Sequence, residues 1–153
     1  MTGCTQLSPG CDHCYAKTIA EKFRGTAFPV GFEPVWKPAR LSLPAKWKEP
    51  RRIFVNSMSD LFHDAFADEQ IDQVFETMCD VDRHIYQVLT KRPTRMRDYV
   101  RSWLERTGRP AVPGHIWLGT TIELDRFSWR ANRLREIDVP VRFISAEPLL
   151  GPL

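Results

Sequence analysis

Residues 84–108 read HIYQVLTKRPTRMRDYVRSWLERTG: a short apolar run, a polar break at Thr90-Lys91-Arg92, then apolar positions at helical spacing. Met96, Tyr99, Val100, Trp103 and Leu104 recur as one helix face does, Pro93 suits a first-turn position, and Gly108 supplies a stop. This is one strand followed by one helix. The same form recurs outward along the chain. Ile53-Phe54-Val55 precedes a helical pattern of Ile71, Val74, Phe75 and Met78 capped near Asp68. Ile116-Trp117-Leu118 precedes one of Phe127, Ala131, Leu134 and Ile137, and Val141-Arg142-Phe143-Ile144 is a fourth run. Four buried strands alternating with helices predict an α/β domain built on a parallel sheet.

An earlier helix is expected from Tyr15, Ile19, Ala20 and Phe23. Between it and the first run, Gly25 to Pro50 holds five of the twelve prolines and reads as an irregular crossover with a short helix near Ala39 to Trp47. One strand is missing from the pattern before the first helix, and no helix follows the fourth run. The 153 residues therefore read as a single α/β domain, a truncated part of a parallel barrel or open sheet with an apolar surface left uncovered.

Composition narrows the classes. With 42% hydrophobic and 27% charged residues the chain is an ordinary globular domain. No run approaches the ~18 apolar residues of a membrane span, and Met1-Thr2-Gly3-Cys4 has no leader character, which reads as a cytoplasmic chain. A net charge of +3 is too small to imply nucleic-acid coating. Local clustering is another matter, because Lys91 to Arg109 holds seven Lys or Arg against Asp98 and Glu105. That cluster is either a solvated helix face or a surface for nucleic-acid phosphates.

Three of the four cysteines, Cys4, Cys11 and Cys14, fall within eleven residues, and Ser8-Pro9-Gly10 provides a turn between the first and the pair. Three thiolates on one loop point to a metal. The spacing suits an iron-sulfur cluster with one open iron, or a zinc site completed by His13, His63 or Cys79. Cys79 itself lies on an apolar helix face and reads as a core residue. His84 and His115, which precede strands, read as surface residues, and the five tryptophans as core or interface anchors.

In parallel α/β folds ligands bind at the carboxyl ends of strands. All four ends are polar here: Asn56-Ser57-Met58-Ser59-Asp60, Thr90-Lys91-Arg92, Gly119-Thr120-Thr121-Ile122-Glu123 and Ser145-Ala146-Glu147. They offer two carboxylates, Glu123 and Glu147, and two cations, Lys91 and Arg92, to a polar small molecule.

Thr2-Gly3-Cys4, Ser8 to Ala16, Phe54-Val55-Asn56-Ser57-Met58-Ser59-Asp60-Leu61-Phe62-His63, Leu89 to Pro93, Trp117-Leu118-Gly119 and Ser145 to Leu149 together resemble a three-cysteine family of phages and bacteria named after phage gene products 37 and 68. That family is similar to radical S-adenosylmethionine (SAM) enzymes, and the resemblance spans nearly the whole chain. It implies a radical-SAM-like partial barrel in which Cys4, Cys11 and Cys14 hold a [4Fe-4S] cluster whose open iron chelates SAM. The reaction implied is reductive cleavage of SAM to a deoxyadenosyl radical acting on a substrate C–H bond.

If SAM is bound there, position at the strand ends makes Ser57 or Asp60 the expected holder of its amino group, Lys91 or Arg92 of its carboxylate, and Glu123 or Glu147 of the ribose or substrate. The chain departs from the common radical-SAM pattern in its longer first cysteine gap, in His13 before the third cysteine, and in lacking a glycine-glycine-glutamate after the first strand. Competing readings are a zinc-stabilised nucleic-acid-binding module without catalysis, and a fragment that assembles with a separately encoded partner protein.

Overall fold

A computed structural model describes all residues, 1–153. Four strands, β1 (Arg52–Val55), β2 (Ile85–Thr90), β3 (Ile116–Thr121) and β4 (Arg142–Ser145), form one sheet in the order β1-β2-β3-β4, every pair parallel. The sheet is open and does not close into a barrel. Five helices accompany the strands: α1 (Tyr15–Lys22), α2 (Leu43–Lys46), α3 (Asp68–Asp80), α4 (Pro93–Thr107) and α5 (Trp129–Arg135).

Local chemistry accounts for the helix ends. Pro93 opens α4, where a missing N–H costs nothing, and Gly108 closes it in the left-handed region at φ +65°. At α3 the side chain of Gln70 reaches back to accept the Ala67 N–H at 3.0 Å, so the cap lies one residue before the anticipated Asp68.

Register aligns Ile53, Tyr86 and Ile116 in one row and Val55, Val88, Leu118 and Arg142 in the next on the same face. Against this face pack Ile71, Phe75 and Met78 of α3, Met96, Tyr99, Val100 and Trp103 of α4, and Leu134 of α5, forming one continuous core. Each large side chain buried there contributes roughly 1.5–3 kcal/mol of transfer free energy.

The opposite face is open. Phe54 is 46% exposed, and Gln87, Trp117 and Phe143 are half-buried. The four strands are thus not equally buried: β1 and β4 lie at the edges, where Arg52, Phe54, Arg142 and Ile144 are exposed. Trp129 is likewise 46% exposed rather than a core anchor. His84 departs further from expectation, being 1% exposed. Its Nδ1 accepts the Arg51 N–H at 3.1 Å, so Nε2 carries the proton and donates to the Pro44 carbonyl at 3.0 Å. The crossover folds over it. His115 is half-buried and its Nε2 lies 2.9 Å from the Met78 carbonyl.

Ahead of the cysteine loop, Thr2 and Gly3 make isolated bridges and belong to no strand. Gly3 forms a parallel bridge with Ser59, its N–H donating to the Met58 carbonyl at 2.8 Å, while Thr2 pairs antiparallel with Val35. Gly3 has φ +84°, and a Cβ there would overlap the Glu33 carbonyl. Only glycine fits. No helix is long and apolar enough to cross a membrane.

Candidate functional site

The bridge at Gly3 delivers Cys4 to the carboxyl ends of β1 and β2. There Asp60, buried after β1, uses both carboxylate oxygens within the chain. Oδ1 accepts the Phe62 N–H at 2.9 Å and the Thr90 hydroxyl at 2.7 Å; Oδ2 accepts the Lys91 N–H at 3.2 Å and Arg92 Nη1 at 3.1 Å. Such a carboxylate is an anchor, and what it anchors is Arg92.

Arg92 carries the arrangement to the cysteine loop. Its Nη1 lies 3.6 Å from Cys4 Sγ, and its Nη2 donates to Thr5 Oγ1 at 3.1 Å. Thr5 Oγ1 also meets His63 Nε2 at 2.9 Å, while His63 Nδ1 accepts the Ala65 N–H at 3.0 Å, so Nε2–H is the donor. Burial and the neighbouring Arg92 push the His63 pKa below its ordinary value, in keeping with this neutral tautomer. The Cys4 thiol is pushed up by burial and by Asp60, against the pull of Arg92.

The far side of the loop rests on β3. Gly10 stands close to the Glu123 carboxylate, which a Cβ at Gly10 would approach to 3.2 Å. Glu123 is fully buried; Oε2 accepts Arg130 Nη1 at 2.8 Å, and Oε1 has no partner. Arg130 also donates to the Thr121 carbonyl at 2.9 Å. Cys11 Sγ lies 4.0 Å from Ser8 Oγ, and Cys14 is the residue that enters α1, where the Tyr15 hydroxyl donates to the Ser57 carbonyl at 2.7 Å. All four cysteines are free, and Cys4, Cys11 and Cys14 are each half-buried.

The structure thus brings Cys4, Asp60, Arg92 and Glu123 to the loop, though Asp60, Arg92 and one oxygen of Glu123 are already bonded within the chain. Ser57 is exposed beside α1, Lys91 is half-buried with no ion pair, and Glu147 is exposed beyond β4. His13 is exposed, and Cys79 packs half-buried at the edge of the core. No three His, Cys, Asp or Glu side chains stand together as a ready-made metal ligand set.

Most of the basic cluster is consumed by the fold. Arg95 donates to the His63 and Phe66 carbonyls, Arg97 pairs with Asp98 and Glu136, and Arg106 with Asp72. Arg109 lies over the Trp103 ring.

Two participants escape a reading of the sequence. Thr5 has no local signal, being one polar residue in a loop. Arg130 had one: it sits four residues before the buried Leu134, a cation within an apolar helical stripe, and such a cation is buried only with a partner.

These features define an α/β protein with an N-terminal three-cysteine loop seated on the carboxyl ends of three parallel strands. Over residues 1–153 it matches the model of a family described as a protein of unknown function (DUF5131), and it belongs to that family. No curated protein and no solved structure matches the chain.

Proposed function

We propose that this chain is a radical-SAM-type iron-sulfur enzyme whose sheet is one part of a parallel barrel, with Cys4, Cys11 and Cys14 as the ligands of a [4Fe-4S] cluster. The observation that carries the reading is the seating of the cysteine loop: Gly3 on Met58, Cys4 and Thr5 on Arg92, and Gly10 on Glu123 bind it to the ends of β1, β2 and β3. A purely structural zinc knuckle has no need of that position. The sequential strand order and the single helix-covered face support the barrel reading, since a barrel wound in one direction has both.

The donor set fits such a group in its chemistry. Three reduced, half-buried thiols share one loop, and the buried guanidinium of Arg92 beside Cys4 would offset thiolate charge. Gathering three sulfurs around one cluster requires the loop to rearrange from the arrangement described. The bound cluster and SAM would supply reductive cleavage of a carbon–sulfur bond. The chain's own part is to hold the Cys4 end rigid through Arg92 and Asp60. The open face of the sheet, with Gln87, Trp117 and Phe143 half-buried, is the surface on which the substrate would lie.

The test is anaerobic reconstitution with iron and sulfide, counting iron, zinc and sulfide and recording the reduced EPR spectrum with and without SAM, with Cys14→Ala as control. Four irons per chain and a spectrum that SAM perturbs are expected. Tight zinc without a SAM response would overturn the reading in favour of a zinc-stabilised binding module.

A further inference from the structure

The cysteine loop is held at both ends. Cys4 and Thr5 are fixed by Arg92, and Cys14 by its entry into α1, while Gln6 to His13 carries Cys11 across the span between them. Within that span Ser8 to Asp12 form a tight turn, in which the Cys11 N–H donates to the Ser8 carbonyl at 2.8 Å and the Asp12 N–H to the Pro9 carbonyl at 3.0 Å. Pro9 has no N–H to give, and the Gly10 N–H has no acceptor.

Glu123 lies directly against Gly10. A Cβ at Gly10 would stand 3.2 Å from Oε1 and from Cγ, closer than a side-chain carbon ordinarily packs, so the loop backbone rests there because residue 10 is glycine. Glu123 is 0% exposed. Arg130 spends Nη1 on Oε2 at 2.8 Å and on the Thr121 carbonyl at 2.9 Å, which leaves Oε1 with no partner. A buried carboxylate oxygen without a donor is costly, more so than a neutral acceptor. An unused charged acceptor thus touches a loop in which the Gly10 N–H is unused too.

We propose that Glu123 is the positioning residue of the cysteine loop: as the loop closes on a metal, the Gly10 N–H moves onto Oε1 and fixes the adjoining Cys11. The loop is then a two-state element, and its closed form gains a charge-assisted hydrogen bond that the open form lacks. Glu123 acts through the loop backbone, not on a ribose or a substrate. This role rests on the proposed function only so far as the three cysteines share one metal; that metal need not be iron.

The experiment loads the purified, reduced chain anaerobically with Zn²⁺ for amide exchange by NMR, and with Co²⁺ for thiolate absorption and release to a chelator. Zinc should slow exchange of the Gly10 N–H at least about ten-fold. Two double variants test the acceptor: Glu123→Gln with Arg130→Met, and Glu123→Met with Arg130→Met. Neither leaves a buried charge unpaired, and they differ in whether residue 123 offers an oxygen. The Met form should release cobalt at least about ten-fold faster than the Gln form, whereas a merely structural Glu123 would change unfolding and not release. Gly10→Ala leaves the Glu123–Arg130 pair intact and keeps the test open if the double variants do not fold; it should speed release as well. Three outcomes overturn the proposal: no cobalt–thiolate absorption, Gly10 exchange that bound metal leaves unchanged, or release from Gly10→Ala and from both double variants at the wild-type rate. Tight zinc without an iron-sulfur cluster, with the Gly10 N–H protected, would remove the radical reading and support this role; a four-iron cluster with Gly10 exchange unchanged would do the reverse.

Discussion

Arg92 and Asp60 face each other at 3.1 Å with both side chains less than a tenth exposed, and the same guanidinium nitrogen reaches Cys4 Sγ. The pair is a strut between the sheet and the cysteine loop. Its stability role is separable from any chemistry at the sulfur.

Removing one partner leaves the other charged and buried, so Arg92→Ala and Asp60→Ala should each cost about 3–5 kcal/mol. The Asp60→Asn, Arg92→Met double variant should lose less than the sum of its single changes, because neither leaves an uncompensated charge. Urea unfolding of the single and double variants checks this. Additive losses would show that the pair does not act as a unit.

Gly3 and Gly108 both have positive φ, at +84° and +65°, but only Gly3 is hemmed in by the Glu33 carbonyl. Gly3→Ala should cost at least about 2 kcal/mol and Gly108→Ala about 1 kcal/mol. Thermal unfolding of the two variants side by side would separate backbone strain from steric overlap.

Asp72 is held by two hydrogen bonds from Arg106, at 2.8 and 2.9 Å, and by the Tyr99 hydroxyl at 2.8 Å. Arg106 first, then Tyr99, keeps its pKa below the ordinary carboxylate range. A depressed folded-state pKa means the unfolded chain binds the proton more readily. The stabilisation is complete above the unfolded value near 3.8 and is lost as pH falls below it through the folded value. Because Arg106 is largely exposed, the term is no more than about 1 kcal/mol. Acid titration of unfolding should show wild type losing this increment below pH ~4, while Arg106→Ala lacks it at neutral pH.

Cys79 packs at the core edge, well apart in sequence from the loop cysteines. Cys79→Ala should cost about 1 kcal/mol of stability and leave the iron content of the reconstituted chain unchanged, whereas Cys4→Ala, Cys11→Ala and Cys14→Ala should each lower it. Metal analysis alongside unfolding curves distinguishes the two classes of cysteine. Loss of metal in Cys79→Ala would point to a ligand set that includes α3.

Much of this fold is written locally. The apolar runs at residues 53–55, 84–89, 116–118 and 141–144 overlap all four strands, and Pro93 and Gly108 mark both ends of α4. Strand order is not local, so the exposure of Phe54 and Ile144 at the sheet edges could not be read from their apolar neighbours. His84 looked like a surface residue because its partner is the Pro44 carbonyl, forty positions away. The cysteines announce themselves by spacing, but Asp60, Thr90 and Arg92 join the site through contacts spanning about thirty to ninety positions. Polar strand ends mark where such residues gather; only packing decides which of them bond to one another.

The seating of the cysteine loop has a consequence for biosynthesis. Cys4, Cys11 and Cys14 leave the ribosome before their supports at Met58, Arg92 and Glu123, which are made progressively later. Until Glu123 has emerged, the thiols lie on an incompletely anchored loop, open to oxidation or to a stray metal. The loop waits on residues made after it, so an oxygen-poor compartment or a thiol-guarding chaperone during translation would raise the yield of correctly assembled protein.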